Sequence, residues 1–537
     1  MINCFKIMRA RRQAMATHVN LDALIPREDF AVITDGREAP VKHSIQISEL
    51  EQDQFFYRAL RKPDFQRETG EWDSKRVVGL ISSFIEEDLI PAIILWRHKD
   101  LLFVIDGSHR LSALIAWVQD DYGDGDRSQK FFNYTIPEEQ LAIARKTKAI
   151  VEKEFGSYKS HKEAITNPDA YGPDIIRRAL RFGSISMELQ WVKGDSATAE
   201  ESFVRINQQA AIITPQELEL IRTRKKPNTI AARAIIRRGT GHKYWYPFAE
   251  NERKKIEELG TEIHNLIFNP VLKTPIKSLE LPAGGSVYSS PSLRMVYDFI
   301  NLCVGVPSPS DDTKGDRTVE YLSRCHRVMQ LILSNHPSSL GLHPAVYFYS
   351  WTGKQQPVLF LAISNMIIDM DRSKKLPIFI ECRKAFEDFL IEHRSLLNQL
   401  VRKFGTKDSG GTHLVGFYRL LLKMITEKKS EDDILASFTN NPEYSYLQPA
   451  ESPYDIERAK GFSSKVKSGL IIKELLGSAP RCQICQGMVP TQAISIDHIK
   501  RTVDGGQHSL ENAQLTHPYC NTGYKEHLIS KDKGRMH

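Results

Sequence analysis

Cysteine is scarce in this 537-residue chain: there are seven, and four of them (Cys4, Cys303, Cys325 and Cys382) stand apart without pairing signals. A disulfide scaffold is therefore excluded, and a reducing compartment is expected. No apolar run reaches the eighteen or so residues that a membrane span needs, so no membrane partner is expected. The opening stretch MINCFKIMRARRQAMATHVN is mildly basic and lacks the continuous apolar core of a signal peptide. That points to a cytoplasmic protein, with Met8 and Met15 as alternative starts. No G-x-x-x-x-G-K-[ST] run occurs, so any nucleotide chemistry is not of the P-loop kind. Internal repeats are absent too, which removes solenoids and propellers. Charge of one sign is also scarce: 73 Lys and Arg face 66 Asp and Glu, a net +7. With 41% apolar residues, the chain can bury sizeable cores and should form two to four domains.

What is present concentrates near the C-terminal end. The other three cysteines belong to Cys482-Gln-Ile-Cys485 and His517-Pro-Tyr-Cys520, two soft-ligand pairs whose spacing grips one face of a tetrahedral Zn²⁺. Four protein ligands close such a site and leave no position for substrate, so the zinc would be structural. The chemistry must then lie with Asp497, His498, Asn512 and Asn521, which accompany the pairs. A neutral imidazole accepts a proton at physiological pH, and a carboxylate with an amide oxygen suits a hard cation.

This segment, roughly 481–527, resembles the HNH endonuclease family, built from a short hairpin and a helix around one divalent cation. The resemblance implies that His498 is the general base activating water against a DNA phosphodiester. It implies Asp497 and Asn521 as holders of Mg²⁺ or Mn²⁺, and Asn512 as a residue that orients the imidazole or braces the loop. His517 stands where the common zinc-bearing form has Cys, and histidine is an ordinary zinc ligand. The competing reading is a non-catalytic zinc knuckle that folds the tail or binds DNA.

A second constellation lies in the first third. Pro63-Asp-Phe-Gln-Arg67 precedes Trp72 and a helical apolar pattern at Val77, Val78, Leu80, Ile81, Phe84 and Ile85. Two short β-type runs follow, 90–95 and 101–105, and the second ends in Asp106-Gly107-Ser108-His109-Arg110 before another helical pattern. A strand, a glycine turn and a helix start make an anion site, because free backbone N–H groups converge there. Arg110 adds a fork donor for phosphate, and Asp106 could position a metal or water. With Phe203-Val-Arg-Ile-Asn207 and Thr214-Pro-Gln-Glu-Leu218 downstream, residues 50–225 resemble the ParB/sulfiredoxin-like N-terminal domain of GmrSD-type restriction proteins. That resemblance implies binding and hydrolysis of an NTP and sensing of modified DNA, with residues 106–110 as the cofactor site. Ser108 stands where family members have glutamine. The competing reading keeps the fold but only binds DNA or a partner.

From Arg222 to Lys243 run eight cations with no acidic residue, and Tyr244, Trp245 and Tyr246 follow. Clustered cations release counterions from a phosphate backbone, so Arg233, Arg237, Arg238 and Lys243 are candidate DNA contacts; a solvated helix face is the bland alternative. The expected architecture is α+β and multidomain. It comprises an N-terminal extension (1–45), a ParB/sulfiredoxin-like α/β domain (46–230), a mainly helical region (231–470) and a ββα-metal HNH domain with structural zinc (471–537). His326, His336, His343 and His393 in the middle lack partners at metal spacing. The combined reading is a DNA endonuclease of anti-phage defence, gated by nucleotide or by modified phage DNA. One cutting site per chain implies a nickase or a homo-oligomer making paired nicks. An RNA-directed nuclease with the same catalytic residues, and a nucleotide-dependent DNA-binding regulator, are the alternatives.

Overall fold

The structure, a computed structural model, describes residues 18–28, 41–63, 72–131, 134, 136, 138–210, 219–220, 222–239, 244–245, 247–287, 290–404, 408–448, 462–525 and 527–528. Of the sequence expectations, Cys4, Met8, Met15, residues 64–67, residues 214–218, Lys243 and Tyr246 lie outside these. The chain divides into two compact units, residues 1–222 and 223–537.

The first unit is an α/β fold around a mixed sheet. Its strands are β1 (Arg27–Glu28), β2 (Ser44–Gln46), β3 (Leu60–Pro63), β4 (Ile93–His98), β5 (Leu101–Asp106) and β6 (Ser186–Val192), in spatial order β1-β3-β5-β4-β6-β2. β5 reads Leu-Leu-Phe-Val-Ile-Asp, nearly continuous apolar character, which a strand covered on both faces requires. Alternation then sorts the side chains. Leu102 and Val104 join the core beneath helices Ser74–Ile85 and Ser108–Gln119, while Phe103 and Ile105 meet Ala199 and Phe203 of helix Ser196–Ala210. Helix Ser74–Ile85 begins where the Asp73 carboxylate accepts the Arg76 N–H at 2.9 Å. It buries Val77, Val78, Ile81, Phe84 and Ile85, the stripe that the 3-4 spacing predicts.

One local device starts a helix in each unit. Asp121 and Asp312 open the related runs Asp-x-x-x-Gly-Asp-Arg-Ser and Asp-x-x-Gly-Asp-Arg-Thr. Each carboxylate turns inward and accepts backbone N–H groups of the following loop, together with the hydroxyl of Ser128 or Thr318. These acidic runs are therefore caps, with Asp121 and Asp312 buried and saturated by donors.

In the second unit, helices run from Pro227–Ile236 to Ser464–Gly477. Met366 and Met370, four residues apart on helix Pro357–Arg372, are core. His326, His336 and His393 pair with Glu262, Ser338 and Glu431, and His343 is buried. The chain then forms an antiparallel hairpin of β7 (Ser495–His498) and β8 (Ala513–Thr516), with Asp497 opposite Gln514 and His498 opposite Ala513. A wide helical turn, Cys520–Tyr524, completes it. The hairpin region is fastened to loops between the helices: Tyr519 N–H donates to the Ser339 carbonyl at 2.9 Å, and Gln492 Nε2 donates to the Leu281 carbonyl at 3.1 Å.

Candidate active site and metal centre

The turn 482–485 and the start of the last helical turn place Cys482, Cys485, His517 and Cys520 together. All four are buried, and their ligand atoms lie within 4.8 Å of one another. His517 Nε2 lies 3.0 Å from the Met488 carbonyl, so that nitrogen carries the proton and Nδ1 faces the thiols. Nδ1 is 3.4 Å from Cys485 Sγ and 3.9 Å from Cys520 Sγ. Tetrahedral zinc with ordinary bond lengths would set such separations at about 3.6 Å, so the donor set and its size fit that ion. Hydrogen bonds from Cys485 and Cys520 favour the Cys482 thiolate, and the bond to Cys482 holds the Cys485 thiol up at about 12. Burial, and then the Arg383 charge, keep the His517 imidazole neutral.

The hairpin presents the second set. Asp497 is buried on β7, between Gln514 Nε2 at 2.8 Å and Lys525 Nζ, which sits 2.8 Å from both carboxylate oxygens. The same ammonium donates to the His498 carbonyl at 2.8 Å. Asn521, one turn before Lys525, donates through Nδ2 to Ser495 Oγ at 2.9 Å and to the Ile496 carbonyl at 3.3 Å. Asp497 and Asn521 are thus brought to one strand. His498 Nε2 lies 2.9 Å from His508 Nδ1. Asn512 braces the connecting loop: its side chain accepts the Lys500 N–H at 2.8 Å and donates to the Lys500 and Gln507 carbonyls. Lys525 and His508 were not singled out from sequence. The available signals were a lysine at i+4 from Asn521 and a histidine in the Gly-Gly-Gln-His loop.

In the first unit, Asp106 closes β5 and Gly107 takes φ +95°, where a Cβ would lie 2.5 Å from Ile93 Cδ1. Helix Ser108–Gln119 starts there. Asp106 and Arg110 are committed to each other at 2.6 Å, one helical turn apart, and Arg110 also donates to the Ala92 carbonyl at 3.3 Å. The His109 ring stacks on Trp72, with centroids 5.6 Å apart, and Ser108 is buried.

The basic run divides. Arg233 is 4% exposed, its guanidinium lies 4.4 Å over the Tyr244 ring, and it donates to the Arg224 carbonyl. Its charge serves the interior and cannot meet a phosphate backbone, which removes it from the candidate DNA contacts. Arg237 is half-buried, and Arg238 is exposed.

A hairpin and a helical turn carrying Asp-His and Asn, beside a Cys/His cluster that could hold a metal ion, fit a nuclease. Comparison with known families agrees. Residues 482–527 match the HNH endonuclease family, and residues 47–222 match the N-terminal domain of the GmrSD restriction endonuclease. The two matches support a restriction-type nuclease with DNA as substrate. No curated protein and no solved structure matches the chain. Among the described residues, no helix is long and apolar enough to cross a membrane.

Proposed function

We propose that the chain is a metal-dependent DNA endonuclease in which residues 482–525 cut and the first unit, read as a ParB/sulfiredoxin-like domain, licenses cutting in response to a nucleotide or modified DNA. The observation that supports the reading is a hairpin strand that carries Asp497 and His498, with Asn521 hydrogen-bonded to that same strand and the Cys/His cluster adjoining it. His498 takes the proton from the attacking water, and His508, bonded to its Nε2, fixes the ring. Asp497 and the Asn521 amide oxygen would hold Mg²⁺ or Mn²⁺, because the Asn521 Nδ2 end is committed to β7. When bound, the cation supplies stabilisation of charge on the phosphate and the leaving oxygen. Lys525, freed from Asp497, then has a phosphate oxygen as its natural partner. Zinc at Cys482, Cys485, His517 and Cys520 would be structural, since four ligands close the site.

In the first unit, Asp106 pairs with Arg110 through Nη2, so an incoming phosphate competes with that carboxylate for the guanidinium. That exchange is a way for nucleotide to alter the unit, and defence against foreign DNA is the setting that such gating suits. The test is digestion of modified and unmodified plasmid by the full chain, with Mg²⁺ and with or without NTP. Cutting that depends on modification or nucleotide supports the reading. Equal cutting of every substrate would remove the gate, and no cutting under any condition would remove the nuclease.

A further inference from the structure

The zinc cluster has a partner outside its own motif. Arg383, on helix Leu376–Glu392, is fully buried, as is Glu387 one turn on. Arg383 Nε donates to Glu387 Oε1 at 2.8 Å. Its Nη1 donates to the Leu340 carbonyl and lies 3.3 Å from His517 Nδ1, and its Nη2 donates to the Gly341 carbonyl at 2.8 Å. Glu387 also accepts the Tyr347 hydroxyl at 2.9 Å and the Met488 N–H at 2.6 Å, and Met488 supplies the carbonyl that fixes His517. The guanidinium is wedged against the turn that follows Cys485: a Cβ at Gly487 would collide with Arg383 Nε and Cδ.

We propose that Arg383, oriented by Glu387, is the outer-sphere cation of the zinc cluster, so that zinc binding joins helix Leu376–Glu392 to the nuclease hairpin. The inference rests on the zinc reading above. The physical reason is charge. Three thiolates and a neutral imidazole leave bound zinc with a net charge of about −1 in a buried site, and the Arg383 guanidinium, between that site and the Glu387 carboxylate, is placed to stabilise both anions. Arg383 touches His517 on one side and Glu387 on the other. Nη1 and Nη2 also donate to two carbonyls of the 340–341 loop, a geometry a lysine cannot copy. Arg383 is thus a positioning residue, far in sequence from the motif it completes (134 residues from His517), and the nuclease tail alone lacks that cation.

The test uses the full chain. Zinc content is measured for wild type, Arg383→Met, Arg383→Lys and Glu387→Gln, followed by the rate of zinc loss to a chelator and by melting before and after chelation. Expected are one zinc per wild-type chain and at least tenfold faster loss from Arg383→Met, in line with outer-shell changes elsewhere. Loss from Arg383→Lys should be several-fold faster, with Glu387→Gln between that variant and wild type. The melting losses from chelation and from Arg383→Met should overlap rather than add. Wild type without zinc would overturn the zinc reading and this inference with it. Wild type with zinc, but variants that release it at the parent rate with additive melting losses, would overturn this inference alone. Should Arg383→Met fail to fold, an unchanged release rate in Arg383→Lys does the same.

Discussion

Replacing Lys525 by Met removes an ammonium that sits on both oxygens of Asp497. The pair is largely buried: the Lys525 side chain is 19% exposed and that of Asp497 is 6%. At 2.8 Å, the bare attraction is about 6 kcal/mol at an effective dielectric constant near 20, before either group's desolvation is subtracted. Charge-assisted hydrogen bonds of this kind retain about 1.5–3 kcal/mol net. In the metal-free protein, Asp497 cannot serve a divalent cation without giving up that interaction. Lys525→Met should therefore tighten Mn²⁺ binding by roughly tenfold to a hundredfold, the same free energy expressed as affinity. It should also destabilise the metal-free protein, because a buried carboxylate is left uncompensated. DNA cleavage should fall despite the tighter metal, since a cation facing the phosphate is gone. Calorimetric Mn²⁺ titration of the two proteins reads the first effect, and single-turnover cleavage the last. Mn²⁺ affinity that is unchanged or weaker in Lys525→Met would refute the claim that lysine and metal share Asp497.

Three other expectations follow from the geometry. His343 is buried, which pushes its imidazole down to about 4, with Glu387 opposing and the Arg394 and Arg383 charges adding. Because the unfolded chain takes up this proton near pH 6.5 and the folded protein does not until about pH 4, stability is full above pH 6.5. It falls across that window by roughly 2–3 kcal/mol. Denaturation curves from pH 7.5 to 4.5 should slope less for His343→Leu, and parallel curves would contradict the assignment. Arg238→Gln should lower both DNA affinity and its salt dependence, whereas Arg233→Met should leave both unchanged and lower the melting temperature through loss of the Tyr244 contact, worth about 1–2 kcal/mol. The reverse pattern would restore Arg233 to the DNA surface. Arg110→Met should weaken nucleotide binding at least tenfold if Asp106–Arg110 is the site, measured by equilibrium binding; an unchanged affinity excludes it.

How far the sequence carries depends on range. Cys482, Cys485, His517 and Cys520 were readable because ligand pairs spaced by two residues are local, and a metal motif states its own geometry. The apolar stripe of Ser74–Ile85 and the strand ending at Asp106 were readable for the same reason. Arg383 was not, since it meets His517 across a sequence separation of 134 residues and nothing in its own helix distinguishes it from a surface arginine. The basic run shows the opposite limit. Spacing reveals that cations cluster, but only packing decides that Arg233 turns inward onto Tyr244 while Arg238 stays outside. Asp106 and Arg110 stand at i,i+4, the spacing of a helical ion pair, so their mutual commitment was written in the sequence although each reads as a free ligand.

The most direct test is the fate of supercoiled plasmid incubated with Mg²⁺ and either wild type or His498→Ala, both shown to carry zinc. The account predicts nicked or linear product with wild type, abolished by EDTA, and none above background with the variant. Undiminished cleavage by zinc-loaded His498→Ala would contradict it.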